Sequence, residues 1–292
     1  MLGEQENMAP FGTPQPKLTM SDEEYRLLRN LIYDECGIWL KDEKKSFLEN
    51  RTFNRMRTLK IASCYRYYRL LTDPDDGKQE VLTFMDSVTI NETSFFRNKP
   101  QMDIFTEMVV PEIVSNKRKK GDLSLKIWSA GCSTGQEPYT LAMILRETIP
   151  DMSKWKITIL ASDLSLTALQ SAQEGIYRPE KMDGVDDTLR SRYFREVEGG
   201  MYQAKDVLKQ LIVFDFHNLM HESGSGNFDV IFCRNVLIYF DEETQKGVID
   251  RFDRALVPEG YLFLGHTESL QGVNDNFTFI HKNKGTAYKK NG

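Results

Sequence analysis

Residues 127–138, IWSAGCSTGQEP, combine the end of an apolar run, a glycine-containing loop and the start of a helix. Trp128 closes the apolar run, Gly131 and Gly135 bracket the loop, and Pro138 suits a first helical turn. In a doubly wound sheet, such a loop lies at the carboxyl end of its strand, where ligands bind. The stretch therefore predicts an α/β fold with a binding loop directly after its first strand.

Strand-like and helix-like segments alternate along the chain after residue 122. The strand-like segments are LSLKIWSA (123–130), KITILASD (156–163), LIVFDFHN (211–218), FDVIFCRN (228–235) and GYLFLGHT (260–267). The helix-like segments are QEPYTLAMILRETI (136–149), SLTALQSAQEG (165–175) and DEETQKGVIDRFDRAL (241–256). This alternation predicts a parallel sheet covered by helices on both faces. RYFREV and GMYQAK predict a short antiparallel insertion near residues 190–208, and FTFIHKNKGTAYKK predicts a terminal hairpin.

The first 90 residues show no strand pattern. Residues 1–18 carry three prolines and few large apolar side chains, which predicts a disordered tail. Residues 19–90 contain helix-like segments such as SDEEYRLLRNLIYDECG, which predict a small all-α domain. Residues 91–292 form the second predicted domain, which starts with a helix at 101–116 that is kinked near Pro111.

Composition excludes several classes of protein. A net charge of -5 and a pI near 5.6 argue against a general nucleic-acid binder. The four cysteines form no CxxC pair, which fits a reducing compartment, and His217 and His221 lack a third metal ligand. No apolar run approaches the ~20 residues of a membrane span, and the N-terminus does not resemble a signal peptide. We therefore expect a cytoplasmic protein without metal, nucleic acid or membrane insertion.

The glycine loop lacks the features of phosphate-binding loops. A P-loop needs a lysine where Gln136 follows Gly135, and a dinucleotide loop needs a third glycine. Two interpretations remain, namely a simple tight turn and a site for a nucleoside without a pyrophosphate, such as S-adenosylmethionine. Asp163 at the end of the next strand favours the nucleoside, because a carboxylate there can bind ribose hydroxyls. Many methylases that act on nitrogen have a proline after the corresponding asparagine, whereas here Val236 follows Asn235. This difference argues against a nitrogen methylase.

Several motifs together resemble the CheR family of chemotaxis receptor glutamate O-methyltransferases. The motifs, in chain order, are NETSFFR, GCSTGQEPYT, ILASD, HNL, FCRNVLIYF and GYLFLGHTES. The resemblance covers the chain from about residue 20. It implies a Rossmann-like class I methyltransferase domain with a small antiparallel β insertion, preceded by a small all-α domain. It also implies S-adenosyl-L-methionine as donor, with S-adenosyl-L-homocysteine as product, and chemoreceptor glutamates as acceptors.

The resemblance also assigns site residues. Its donor contacts fall on Asn91, Thr93, Arg97, Glu137, Asp163, Asn218, Leu219, Asn235 and Val236. Glu137 or Asp163 would bind the ribose, and Asn218 with Leu219 would lie near the adenine. Asn235 and Val236 would flank the methionine end. Arg97 is the predicted positioning group for catalysis. Tyr239 either lines the same pocket or is a core aromatic residue at the end of a strand.

A basic segment precedes these motifs. Residues 41–69 hold nine cations and three acids, for a net charge of +6. An ordinary solvated helix explains such a segment, in which Leu48, Met56 and Leu59 face the core. The resemblance instead implies receptor contact through Arg51 and Arg57, and Arg55 shares a helix face with Arg51. RNA binding with stacking by Tyr65, Tyr67 and Tyr68 is a further alternative.

The expected partners are the cytoplasmic helices of methyl-accepting chemotaxis receptors. Some family members also dock on a receptor tail peptide through the β insertion. The hairpin FREVEGGMYQA is short for that role, so we expect no tail docking, and we expect a monomer. The rival functions are a donor-binding sensor that transfers no methyl group, and a methylase of RNA or of a small molecule.

Overall fold

The computed structural model describes residues 19–292, so the predicted tail at 1–18 lies outside the described residues. Residues 19–90, termed the helical region, contain four α-helices: α1 (Asp22–Cys36), α2 (Lys45–Leu59), α3 (Cys64–Leu71) and α4 (Lys78–Val88). A capping box between Ser21 and Glu24 starts α1, and Gly37 ends it with a left-handed φ of 74°. Leu28, Ile32 and other apolar side chains fill one buried core. The predicted helical character of this region is confirmed.

One core prediction for α2 is wrong. Leu59 lies exposed, whereas Thr52 is buried between Leu48 and Met56. The buried stripe follows a four-residue spacing, and Leu59 is the last residue of the helix, before Lys60 adopts a left-handed conformation. Its side chain therefore lies beyond the packed part of the helix.

A long helix connects the helical region to the sheet. It consists of α5 (Lys99–Ile104), a π-helical turn (Phe105–Val109) and α6 (Val110–Lys119). The π-helical turn lies close to the predicted kink and ends two residues before Pro111. Proline lacks the N–H that a regular α-helical turn would use, so a wider turn is a natural accommodation.

The sheet region, residues 91–292, is built on seven strands. These are β1 (Ser124–Ala130), β2 (Lys156–Asp163), β6 (Ile212–Phe216), β7 (Phe228–Cys233), β8 (Leu256–Leu264), β9 (Phe277–Lys282) and β10 (Gly285–Lys290). Their order is β6-β2-β1-β7-β8-β10-β9; the first five are parallel, and β10 is antiparallel to both of its neighbours. Every residue of β7 is buried, as expected for a central parallel strand. The predicted parallel sheet and terminal hairpin are confirmed.

Helices cover both faces of this sheet. The helices are α7 (Gln136–Thr148), α8 (Leu166–Glu174), α9 (Asp187–Tyr193), α10 (Asp206–Lys209) and α11 (Glu242–Ala255). One apolar core contains residues of α5, α6 and α7, and Phe105 packs 5.2 Å from Phe232. The second core joins α11 to the opposite face, where Phe252 packs 5.2 Å from Trp128. In the strand order, β1 lies between β2 and β7. The strands that follow β1 in the chain are thus placed on both sides of it, and the direction of strand addition reverses there.

The insertion is a three-stranded antiparallel sheet rather than a two-stranded one. Strands β4 (Phe194–Val197) and β5 (Met201–Ala204) match the prediction, and β3 (Ile176–Tyr177) adds a third strand beside β5. A strand of two residues that directly follows α8 shows no period-2 pattern, so the sequence does not reveal it.

No helix within residues 19–292 has the length and apolar character needed to cross a membrane.

Candidate functional site

A cavity of about 400 Å³ lies between the helical region and the carboxyl ends of β1, β2 and β7. All ten residues predicted for donor binding or catalysis line it: Asn91, Thr93, Arg97, Glu137, Asp163, Asn218, Leu219, Asn235, Val236 and Tyr239. The helical region contributes a wall that includes Cys36, Ile38 and Leu40. The cavity thus sits at the switch point of the sheet, where open α/β sheets bind ligands.

The glycine loop after β1 forms the floor of the cavity. Gly131 has a φ of 80°, and a Cβ there would lie 2.4 Å from Cγ2 of Val236. Only glycine permits this close approach without a shift of the neighbouring loop. Gly135, with a φ of 92°, then starts α7. The loop is therefore more than a generic turn, because its shape is matched to the loop that follows β7.

Asp163 connects the glycine loop to the end of β2. Its carboxylate accepts hydrogen bonds from the backbone N–H of Ser133 at 2.7 Å and of Ser165 at 2.9 Å. Burial raises the pKa of Asp163, and these two N–H donors oppose the increase. Ser165 also donates to Asp86 of the helical region, which accepts a bond from Thr167 Oγ1 at 2.6 Å. The carboxylate is thus held by the sheet region, and the helical region contacts Ser165, which supplies one of its two donors.

Arg234 is a central residue of the site that the sequence did not reveal. Its buried guanidinium donates to Glu137 Oε2 at 3.1 Å, to Gln101 Oε1 at 2.9 Å and to the backbone carbonyl of Arg97. Glu137 also accepts a bond from Ser129 Oγ at 2.7 Å. Burial lowers the pKa of Arg234, and the Glu137 carboxylate opposes that effect. The available signal was a charged residue directly after the apolar run Val230–Cys233.

The side chain of Arg97 makes a single local contact. Its Nη1 donates to the backbone carbonyl of Glu92 at 2.8 Å, and no other hydrogen bond holds its guanidinium within the described chain. Tyr239 lies on a short 3₁₀-helix, Leu237–Tyr239, rather than at the end of a strand. Burial raises the pKa of Tyr239 and the Arg97 charge opposes it. Both side chains therefore present polar groups to the cavity.

Glu268 braces the loop that carries Asn235 and Tyr239. Its carboxylate accepts N–H bonds from Asn235 at 3.0 Å, from Gly265 and from Ile238 at 3.3 Å. Asn235 has a φ of 60°, a left-handed conformation that costs energy in a non-glycine residue. The charged acceptor offsets that cost. The sequence motif GHTES contained Glu268, but only the fold brings it to this loop.

The segment after β6 forms the other side of the cavity. Asn218 Nδ2 donates to the backbone carbonyl of Glu35 at 2.7 Å, and Leu219 is buried. The Nε2 atom of His217 is buried and has no hydrogen-bond partner within residues 19–292, and burial lowers the pKa of this imidazole. An orphaned nitrogen on a cavity wall is suited to a polar ligand.

The cations of α2 lie outside the cavity and differ from one another. Arg55 makes a two-pronged ion pair with Glu80, at 3.0 and 2.7 Å, and the buried Tyr67 also donates to Glu80 at 2.6 Å. Arg51 and Arg57 are exposed, and neither contacts an acidic side chain of the part of the chain that the structure describes. The RNA-binding alternative required Tyr67 to stack on a base, but Tyr67 is buried and is not available for stacking.

The cavity fits an adenosyl sulfonium compound. It offers the carboxylates of Glu137 and Asp163, a His217 nitrogen without a partner among the described residues, and a glycine floor without a side chain. A seven-stranded sheet of this order, with a glycine loop after β1 and an acid after β2, defines a class I S-adenosylmethionine-dependent methyltransferase.

Comparisons with known proteins narrow the class. Residues 91–286 match the family model "CheR methyltransferase, SAM binding domain", and residues 23–89 match "CheR methyltransferase, all-alpha domain". The chemotaxis protein methyltransferase of Vibrio parahaemolyticus is 36% identical over 93% of this chain and 98% of that protein. Those of Borreliella burgdorferi and Escherichia coli are each 34% identical, over 92% and 90% of this chain and 94% and 90% of their own lengths. The chain belongs to the CheR methyltransferase family, and S-adenosylmethionine is its methyl donor.

Proposed function

We propose that this protein methylates glutamate side chains on the cytoplasmic helices of chemoreceptors and thereby forms glutamate methyl esters. The observation that carries the proposal is the convergence of Arg97, Tyr239 and all the predicted donor residues on one cavity. The relatives that match nearly the whole chain are named chemotaxis protein methyltransferases.

The residues of the cavity suit a carboxylate acceptor. A glutamate side chain has a reference pKa of about 4.3, so it is already ionised at neutral pH and needs no general base. S-adenosylmethionine supplies an electrophilic methyl group on a positively charged sulfur. Arg97, with its guanidinium free of acidic partners, orients the acceptor carboxylate, and the neutral Tyr239 phenol donates a hydrogen bond beside it. Orientation matters most because a carboxylate is a weak nucleophile.

Glu137 and Asp163 hold the ribose hydroxyls in this proposal. Both carboxylates are fixed before the donor arrives, Glu137 by Arg234 and Asp163 by two backbone N–H groups. Such preorganisation lowers the entropy lost on binding. The wall from the helical region excludes water, which strengthens these polar contacts.

Receptor contact on α2 is assigned to Arg51 and Arg57. Both are exposed, and the acidic surface of a receptor helix would complement them. Arg55 was predicted as a third contact, but its guanidinium is committed to Glu80, so we assign it a structural role.

We also expect the protein to act as a monomer in the cytoplasm. We expect no docking on a receptor tail peptide, since only Glu198–Gly200 separates β4 from β5. Titration of the donor-loaded protein with a tail peptide tests this, and binding would contradict it.

Radiolabelled donor tests the proposal directly. The protein is incubated with labelled S-adenosylmethionine and a receptor cytoplasmic fragment, and with RNA in a parallel reaction. We expect label on the receptor that mild base releases as methanol, which marks a carboxyl ester. Base-stable label, or label on RNA alone, would reject the glutamate assignment. Donor binding without any transfer would instead identify a sensor.

A further inference from the structure

Three exposed apolar side chains surround the mouth of the donor cavity. Trp39 and Ile90 are each 41% exposed and Ile238 is 50% exposed, and all three line the cavity. They come from three separate segments: the loop after α1, the connection after α4 and the 3₁₀-helix after β7. We term these three residues the rim. Apolar side chains that converge from distant parts of a chain and stay exposed mark a contact surface.

Trp39 is held rigidly although its ring is exposed. The Arg29 guanidinium lies 5.2 Å from the centre of the ring, and Tyr33 packs edge-on at 5.5 Å. The backbone N–H of Trp39 donates to the carbonyl of Tyr239 at 2.8 Å, and Ile38 forms a β-bridge with Phe240. The ring therefore has a fixed place beside the catalytic tyrosine. A rigid exposed tryptophan loses little entropy when a partner covers it.

The charged neighbours of the rim indicate the chemistry of that partner. Lys41 and Lys44 are exposed at the mouth, together with the acids Glu43 and Glu92. On the side of α2, Lys44 is followed by Phe47, and the Arg51 guanidinium lies 5.2 Å from the Phe47 ring. Residues 44, 47 and 51 share one helix face. Lys44 and Phe47 line the same cavity as the rim, and Arg51 packs on Phe47, so the exposed cations Lys44 and Arg51, termed the cationic face of α2, extend from the mouth of the cavity.

We propose that the rim is the docking surface for the acceptor helix. Trp39, Ile90 and Ile238 pack against apolar residues that lie one turn from the target glutamate, while the cationic face of α2 contacts acids farther along the same helix. The proposal rests on the proposed function, and it adds a rule of selection. A glutamate with apolar neighbours at i±3 or i±4 is methylated in preference to one with polar neighbours, because only the former covers the rim.

Separate Trp39→Ala and Ile238→Ser variants test the rim. Phe279→Ser is a matched control, because Phe279 is 55% exposed but lies on β9 at the far edge of the sheet. We expect each rim variant to raise the KM for a receptor fragment about tenfold. The Kd for S-adenosylhomocysteine and the melting temperature should stay at the wild-type values, as should all three quantities in the control.

A second measurement makes the test specific to the rim. In a receptor fragment, the apolar residues one turn from the modified glutamate are replaced by serine. The wild-type enzyme should then show the same rise in KM, and the rim variants should show no further rise, because the two changes remove one shared contact.

The outcomes separate the two proposals. A wild-type KM in both rim variants, or additive effects with the altered receptor, would overturn the rim while receptor methylation stands. Weaker donor binding in both rim variants would also overturn it, since these residues would then be walls of the donor site. If the wild-type enzyme methylates no receptor at all, the proposed function and the rim fall together.

Discussion

Arg97 and Arg234 are both arginines of the cavity, yet their surroundings predict different roles. Arg97 has one hydrogen bond to the neighbouring Glu92 carbonyl, and its guanidinium is otherwise available. Arg234 is buried, and its guanidinium donates hydrogen bonds to three acceptors within the protein. Substitution of the first should therefore affect turnover, and substitution of the second should affect stability.

The Arg97→Ala variant should lose turnover and keep its fold. We expect kcat for receptor methylation to fall about 100-fold or more, because the acceptor is no longer held in line with the methyl group. The thermal melting curve should match that of the wild type, since only one local hydrogen bond is lost. Stopped-time assays at saturating donor measure kcat. Wild-type turnover would remove Arg97 from the mechanism.

The Arg234→Met variant should be strongly destabilised. Loss of the guanidinium leaves Glu137 buried without its cation, and a broken buried pair costs about 3–5 kcal/mol. Denaturant unfolding measures this free energy. The double variant Arg234→Met with Glu137→Gln should recover part of the loss, because no unpaired charge remains. Equal stability of single variant and wild type would contradict the ion-pair argument.

Asp163 should make donor binding sensitive to acid. Because burial places its pKa in the folded protein above the unfolded value of about 3.9, the ionised carboxylate costs stability at neutral pH, and this cost vanishes below that value. Donor binding needs the ionised form, so affinity for S-adenosylhomocysteine should fall as pH drops through the raised pKa. Calorimetry over a descending pH series, taken as far as the protein stays folded, measures it. An Asp163→Asn variant should bind weakly at every pH of this series; an unchanged acid dependence in that variant would assign the effect elsewhere.

At the scale of residues, the sequence predicted Glu137 and Asp163 but did not predict the residues that hold the site in place. Glu137 and Asp163 follow strands in recognisable motifs, so their type and position were enough. Arg234 and Glu268 owe their roles to contacts with Gln101 and Asn235, which are distant in the chain. Such contacts depend on the strand order, which the alternation of elements does not specify.

At the scale of elements, the arginines of α2 differ in their surroundings. Arg55 and Glu80 connect α2 to α4 inside the helical region, whereas Arg51 and Arg57 face outward. In the sequence, all three arginines belong to the same predicted helix and carry the same charge. Their difference arises from the packing of α4, which brings Glu80 to only one of them.

Charge reversal on α2 should weaken receptor methylation selectively. The Arg51→Glu/Arg57→Glu variant should raise the KM for the receptor, most strongly at low salt, because the lost attraction is electrostatic and exposed. Affinity for S-adenosylhomocysteine should not change. Arg55→Ala is the structural comparison, and it should lower unfolding stability with a smaller effect on receptor KM at permissive temperature. Wild-type receptor kinetics after charge reversal would restore the view of α2 as an ordinary solvated helix.

Element boundaries were predictable where periodicity was long. The strands β1, β2, β7 and the terminal hairpin were found within a few residues, because each carries a run of apolar or alternating residues. The two-residue strand β3 and the π-helical turn at Phe105–Val109 were not found, since each depends on neighbours rather than on its own pattern.

At the scale of the whole molecule, the helical region and the sheet region meet at the donor cavity. Hydrogen bonds between the two regions close to the cavity include those of Asn218 with Glu35, Trp39 with Tyr239, Tyr33 with Asp241, and Ser165 and Thr167 with Asp86. The sequence predicted two parts but not this interface, because the paired residues lie about 80 to 200 positions apart. The resemblance to the CheR family predicted the site residues. The part of the cavity wall that comes from the helical region, termed the shared wall, is evident only from the fold.

The shared wall limits how such enzymes could be re-engineered. Consider a chimera whose first 90 residues come from a relative that methylates a different receptor. It would also have different residues at Cys36, Ile38 and Leu40, which line the donor cavity. Under the proposed function, we therefore expect acceptor choice and cosubstrate affinity to change together, so that a successful graft carries its own matching segment from the loops after β6 and β7.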